Sequence, residues 1–114
     1  MPYLKITASK TIDAAQKHRL LTTASKTIAA ELGKPEQYMM VSLEAGVPMV
    51  FGGSPKLCAF LELRGIGLSK AKAGKLSLLL CGLMESELGV RKDRVYINFA
   101  DVPANMWGWN GETF

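Results

Sequence analysis

Four residues in this chain could act together in proton chemistry: Pro2, Lys34, Tyr96 and Asn98. Proline directly after Met1 is a small residue that aminopeptidases readily unmask. The chain would then begin with a secondary amine at the head of the apolar run Tyr3-Leu4-Lys5-Ile6-Thr7. An α-amino group titrates near ~8 in the open, and burial or a neighbouring cation pushes it lower, so it becomes a base unlike any side chain. Lys34 follows a cap glycine, Gly33, and therefore projects from the C-terminal end of the first helix. Asn98 is a polar residue inside an otherwise apolar strand, which is costly unless its amide finds a hydrogen bond. Tyr96, two residues earlier, shares its face. Each also has an ordinary reading: an idle second-position proline, a capping lysine, a satisfied core amide and a packed tyrosine.

Other chemistries find less support. Gly65-Ile66-Gly67 with Gly74-Lys75 resembles a phosphate-cradling loop, but the spacing is wrong and no Ser or Thr follows Lys75, so a tight strand-to-helix turn is the better reading. His18 is the only histidine and falls in a solvated helix, which disfavours histidine catalysis and histidine metal sites. Glu31, Glu85 and Glu87 sit near helix ends as surface charges, and no carboxylate pair stands out. Cys58 and Cys81 have neither CxxC spacing nor a histidine partner, so they read as reduced packing residues. No cofactor and no metal are expected. The net charge of +4 is mild and its lysines run from Lys5 to Lys92, a solvated surface rather than a nucleic-acid stripe. The aromatic pattern of an RNA-binding sheet is missing.

The elements that must position these residues follow from periodicity. With 114 residues the expectation is one domain over 1–114. No segment approaches the ~20 apolar residues that span a bilayer, and the start lacks a signal-peptide pattern, so the expected address is cytoplasmic, with no membrane partner. Tyr3 to Thr7 reads as a strand. From Ile12 to Leu32 the residues Leu20, Leu21, Ala24, Ile28 and Leu32 recur at helical spacing, with Ser9 or Thr11 as candidate cap. Gly33 and Pro35 end that helix. Strands are expected at Tyr38–Leu43, Met49–Phe51, Leu57–Leu63 and Arg94–Phe99, a second helix at Leu68–Leu88, and a short strand in the tail from Asn105.

A shift of about 56 residues lays the chain on itself. Glu31-Leu32-Gly33 then matches Glu87-Leu88-Gly89, and Met39–Leu43 falls on Val95–Phe99. Two strand–helix–strand units, roughly 1–56 and 57–114, give an α+β two-layer sandwich. Its tandem split-βαβ pseudo-repeat forms a four-stranded mixed sheet with both helices on one face. Strands such as Leu57–Leu61 and Val95–Ile97 read as apolar on both sides of the pleat. The uncovered face then calls for a partner, most simply copies of the same chain.

The chain as a whole resembles the macrophage migration inhibitory factor family of the tautomerase superfamily. The likeness is carried by Met1-Pro2, Gly33-Lys34-Pro35, Gln37-Tyr38, Phe51-Gly52-Gly53-Ser54, Ile66-Gly67, Leu79-Leu80-Cys81-Gly82, Asp93-Arg94-Val95-Tyr96-Ile97-Asn98 and Gly108-Trp109-Asn110, in collinear order from end to end. The resemblance implies a homotrimer with active sites at subunit interfaces. It implies a keto–enol tautomerase of phenylpyruvate-like α-keto acids, with Pro2 as the catalytic base. Lys34 and the backbone at Ile66 would hold the substrate carboxylate or oxygen, while Tyr96 and Asn98 would reach in from the neighbouring subunit. Tyr3, Tyr38, Met106, Trp107, Trp109 and Phe114 would line or edge an aromatic pocket.

Two departures matter. Mammalian members carry a CxxC where this chain reads Cys58-Ala59-Phe60-Leu61, which puts a thiol–disulfide activity in doubt. Trp107 stands where the family has a smaller aliphatic residue, and Tyr3 where an aliphatic residue or Met is common, which would narrow or reshape the pocket mouth. A cytokine-like binding protein, engaging a receptor with the pocket as relic or ligand site, is the alternative the resemblance also carries.

Overall fold

The computed structural model describes residues 1–114. It contains β1 (Tyr3–Ala8), α1 (Ala14–Leu32), β2 (Met40–Glu44), β3 (Ala59–Gly65), α2 (Lys70–Leu88), β4 (Val95–Asp101) and a small terminal hairpin of β5 (Gly108–Trp109) and β6 (Glu112–Thr113). The main sheet has the order β2-β1-β3-β4. β1 runs parallel to β2 and β3 parallel to β4, while β1 and β3 are antiparallel in the centre. This is the α+β, two-βαβ arrangement read from the sequence.

Alternation along the strands decides the layering. Leu4, Ile6 and Ala8 of β1 and Ala59, Leu61 and Leu63 of β3 are buried, and they join Leu20, Ala24 and Ile28 of α1 and Leu76, Leu80 and Met84 of α2 in one core of 19 residues. Strand residues of this parity therefore face the helices. The opposite face carries Tyr3, Lys5, Ser42, Phe60, Glu62, Arg64, Tyr96 and Asn98, none of them buried. It is not apolar on both sides, as the run of hydrophobic residues suggests. It is a mixed surface, with a Tyr3 Oη–Ser42 Oγ hydrogen bond of 2.7 Å and a Lys5–Glu44 pair at 3.9 Å.

Helix ends explain the element boundaries. Asp13, rather than Ser9 or Thr11, caps α1: its carboxylate accepts the Gln16 N–H at 2.8 Å, while Gln16 accepts the Asp13 N–H at 3.3 Å. This reciprocal box satisfies two otherwise free donors. Both helices end on a glycine in the left-handed region, Gly33 and Gly89, each at φ 66°. A side chain there would pay roughly 1–2 kcal/mol of steric strain, which is why the same Glu-Leu-Gly triplet closes both halves. An offset of 56 carries Ala14–Leu32 onto Lys70–Leu88 residue for residue. Met49–Phe51 does not form a strand; a single bridge joins Phe51 to Ser54.

Candidate active site

The N-terminus enters the fold beside an aromatic cleft of about 360 Å³. Met1, Pro2 and Tyr3 form one wall; Gln37, Tyr38, Met39 and Met40, at the entry to β2, form a second. Trp107, Gly108, Trp109 and Phe114 of the terminal hairpin region close the third. Pro2 is fully buried, and its carbonyl accepts the Met40 N–H at 3.1 Å, which ties the first residues to β2. The hairpin is held by Phe114 N–H donating to the Trp107 carbonyl at 3.2 Å. Its indole, Trp109, stacks on Phe114 at 5.9 Å and meets Tyr38 edge-to-face at 6.0 Å. Such aromatic pairs fix ring orientation beyond simple burial.

The electrostatics of the terminus favour a neutral amine. The Met1 amine is held below its ordinary value, first by burial and second by the positive charge of Lys34. Lys34 itself follows the α1 cap, its N–H donating to the Ala29 carbonyl at 3.0 Å, and its side chain is exposed. It reaches the Met1 amine by its charge and is not a wall of the cleft. Ile66 likewise does not line the cleft. It sits in the β3–α2 turn, where the Asp101 carboxylate accepts the N–H groups of Gly67 and Leu68 at 3.1 and 3.2 Å. The glycine-rich stretch is thus a pinned strand-to-helix turn. Because Tyr3 pairs with Arg64, the antiparallel register runs on from Pro2 towards Gly65 and from Met1 towards Ile66.

Tyr96 and Asn98 lie elsewhere. Asn98 pairs with Glu62 and Tyr96 with Phe60, which in turn pairs with Thr7, four residues along β1 from Tyr3. Tyr96 is therefore roughly 13 Å further along the sheet than the cleft. Both side chains share the helix-free face, and Asn98 is exposed, so its amide carries no burial cost within one chain. Tyr96 instead edges a separate apolar hollow of about 350 Å³ with Phe51, Cys58 and Phe60.

A family model for macrophage migration inhibitory factor (MIF) matches residues 1–114. The chain belongs to this family. It is 41% identical over 96 residues to the macrophage migration inhibitory factor of Meriones unguiculatus, covering 83% of this chain and 84% of that protein. The homolog of Brugia malayi is 38% identical across 100% of this chain and 99% of its own length. The crystal structure of the homologue from Prochlorococcus marinus superposes with a TM-score of 0.93 at 44% identity, covering 98% of both chains. The tautomerase-superfamily fold of the MIF structures is therefore the fold of this chain.

Within that frame, six residues read from sequence line one cleft: Pro2, Tyr3, Tyr38, Trp107, Trp109 and Phe114. Met39 and Met40 were missed as walls; their position just after Tyr38, where the chain turns into β2, was the available signal. Arg94 was missed as a structural clamp. Its guanidinium donates to the carbonyls of Phe51, Ser54, Lys56 and Leu57 at 3.0–3.1 Å and lies 5.0 Å from the Phe51 ring centre. Cys58 is buried and Cys81 half-buried, both as free thiols. No helix is long and apolar enough to cross a membrane.

Proposed function

We propose that this protein is a keto–enol tautomerase of phenylpyruvate-like α-keto acids, working after removal of Met1 with the Pro2 amine as base. One observation carries the reading: the chain terminus opens into an aromatic cleft, beside a lysine and partly withdrawn from water, so that its amine is biased towards the neutral form. Abstracting a proton beside a carbonyl at neutral pH requires such a base. Pro2, one residue further in, is buried, so the same two causes act on its nitrogen once it is exposed as an amine. Tyr38, Trp109 and Phe114 offer faces and edges to an aryl ring. Lys34 attracts the substrate carboxylate and stabilises charge that develops on the enolate oxygen, with the backbone at Ile66 as a second contact.

Tyr96 and Asn98 complete this reading only if a second copy supplies them, because within one chain they stand away from the cleft. The helix-free face that carries them is where further copies of a homotrimer would pack, and sedimentation equilibrium at assay concentrations tests it. A cytoplasmic address goes with the reading, and cell fractionation checks it.

The deciding experiment is intact mass before and after treatment with bromopyruvate at neutral pH, with peptide mapping. Loss of Met1 and a single adduct on Pro2 is the expected result. Retained Met1 makes the Pro2 nitrogen an amide with no basicity. In that case, or if free Pro2 stays unlabelled, the cytokine-like binding reading favoured by the relatives' name replaces the enzyme.

A further inference from the structure

A second hollow of about 280 Å³ lies against the cleft, and the two share Tyr3, Trp107 and Gly108 as walls. The far hollow adds Arg64, Val102 and Met106. Arg64 is the only charged side chain lining either space. It pairs directly with Tyr3 across the β1–β3 ladder, on the same sheet face, which sets their Cβ atoms about 5 Å apart. Its guanidinium makes no hydrogen bond to the protein. Its one ion pair, with Glu62 at 3.9 Å, is too long for a hydrogen bond, and the Arg64 side chain is more than half exposed. By contrast Arg94, just before β4, has its donors committed to four backbone carbonyls. A planar fork of five donors with no hydrogen-bonded acceptor, in a hollow that shares three walls with the aromatic cleft, suits a carboxylate or another planar oxyanion.

We infer that the two hollows are one elongated site in which Arg64 receives a second, distal anionic group of the substrate. The preferred substrate class is then a dianionic aryl α-keto acid, its keto acid end at the terminal amine and Lys34, its ring within the aromatic walls of the cleft on the side of Trp107 and Tyr3, and its second acid at Arg64. Trp107, in this arrangement, is the partition past which the substrate extends and not merely a narrowing of the mouth. The inference rests on the tautomerase reading for its orientation. It differs from that reading in what it needs: a cation at position 64.

The test uses the full chain with Met1 removed, and compares phenylpyruvate with para-carboxyphenylpyruvate in wild type, Arg64→Ala and Arg64→Lys. Charge-assisted hydrogen bonds of this kind predict that Arg64→Ala raises KM for the dianion by about tenfold, with kcat and the phenylpyruvate KM changed by less than about twofold. Arg64→Lys recovers part of the loss, since it keeps the charge but not the fork. Equal effects on both substrates, or none, overturn the proposal. Dissociation constants of both acids, read by quenching of Trp107 and Trp109 fluorescence, separate the two readings. Arg64-dependent binding of the dianion without turnover counts against the tautomerase alone, whereas equal affinity of wild type and Arg64→Ala for the dianion sinks the Arg64 subsite even if both acids are turned over.

Discussion

The two halves of the chain build nearly the same hollow twice, and only one of them holds a chain terminus. The offset that superimposes α1 on α2 carries Pro2 onto Cys58, Tyr3 onto Ala59, and Met39 and Met40 onto Val95 and Tyr96. The first set lines the aromatic cleft, and three of the four counterparts line the apolar hollow on the second half. What differs is what fills the surroundings. Lys34, exposed after the end of α1, corresponds to Val90, which is fully buried. Tyr38, which meets Trp109, corresponds to Arg94, which clamps the 51–57 loop across the second hollow. A βαβ unit thus supplies a depression at the head of its first strand, but chemistry there needs a free amine and a nearby cation. The second half has a peptide bond and a valine instead.

The sharpest way to break this contrast is to turn the first half into the second. Placing an alanine between Met1 and Pro2, so that the Pro2 nitrogen stays an amide, is expected to lower tautomerase turnover by about 10²–10⁴-fold, the share of a general base. Circular dichroism must show an unchanged fold. Pro2→Ala, which leaves a primary amine, loses less.

Core substitutions sharpen the comparison by showing where the halves are equal. Leu20 and Leu76 are counterparts with no exposure. Leu20→Ala and Leu76→Ala are each expected to destabilise by about 2–5 kcal/mol in urea unfolding, with similar values. A large asymmetry would show that the halves do not share one core. Arg94→Ala, which removes a charged donor from four carbonyls, two at part-buried and two at exposed positions, should cost about 1–3 kcal/mol. Its mark is faster hydrogen exchange at Ser54 and the loop around it, with the Pro2 cleft untouched.

The smallest effect is also the most specific. Lys34→Ala should raise KM for pyruvate-type substrates several-fold, by about 1 kcal/mol, as expected for an exposed charge; an unchanged KM removes Lys34 from binding. It should also move the acid limb of the rate–pH profile upward. The Met1 amine is depressed by burial first and by Lys34 second, and the Pro2 amine of the proposed enzyme is expected to feel the same two causes, so deleting the lysine lets it rise only part of the way back. The sign for stability follows. A depressed amine is neutral in the fold while the unfolded chain still binds the proton, so stability falls as pH drops from the ordinary amine range through the lowered one. Lys34→Ala narrows that window.

Much of this was legible in the residues. Helical spacing and the repeated Glu-Leu-Gly triplets locate both helices, and the shift that maps one half onto the other implies the mixed sheet. The walls Tyr38, Trp109 and Phe114 followed from the resemblance alone. The Asp13 box was hidden because Ser9 and Thr11 are equally good cap formers, and only the direction of the backbone after β1 chooses among them. The face of Asn98 was hidden for a related reason: a period of two assigns residues to a face but does not say which face the helices cover.

The sequence by itself determined both helices, the four strands of the main sheet, the repeat and the family, because short-range periodicity and collinear motifs carry that information. Tertiary structure alone decided that Lys34 acts on the terminal amine by its charge without lining the cleft, that Tyr96 and Asn98 lie away from Pro2 within one chain, and that Arg64 lines a hollow sharing Tyr3, Trp107 and Gly108 with the cleft. Those relations depend on strand order and register, which bring together residues up to about a hundred positions apart, and no local pattern in the chain encodes them.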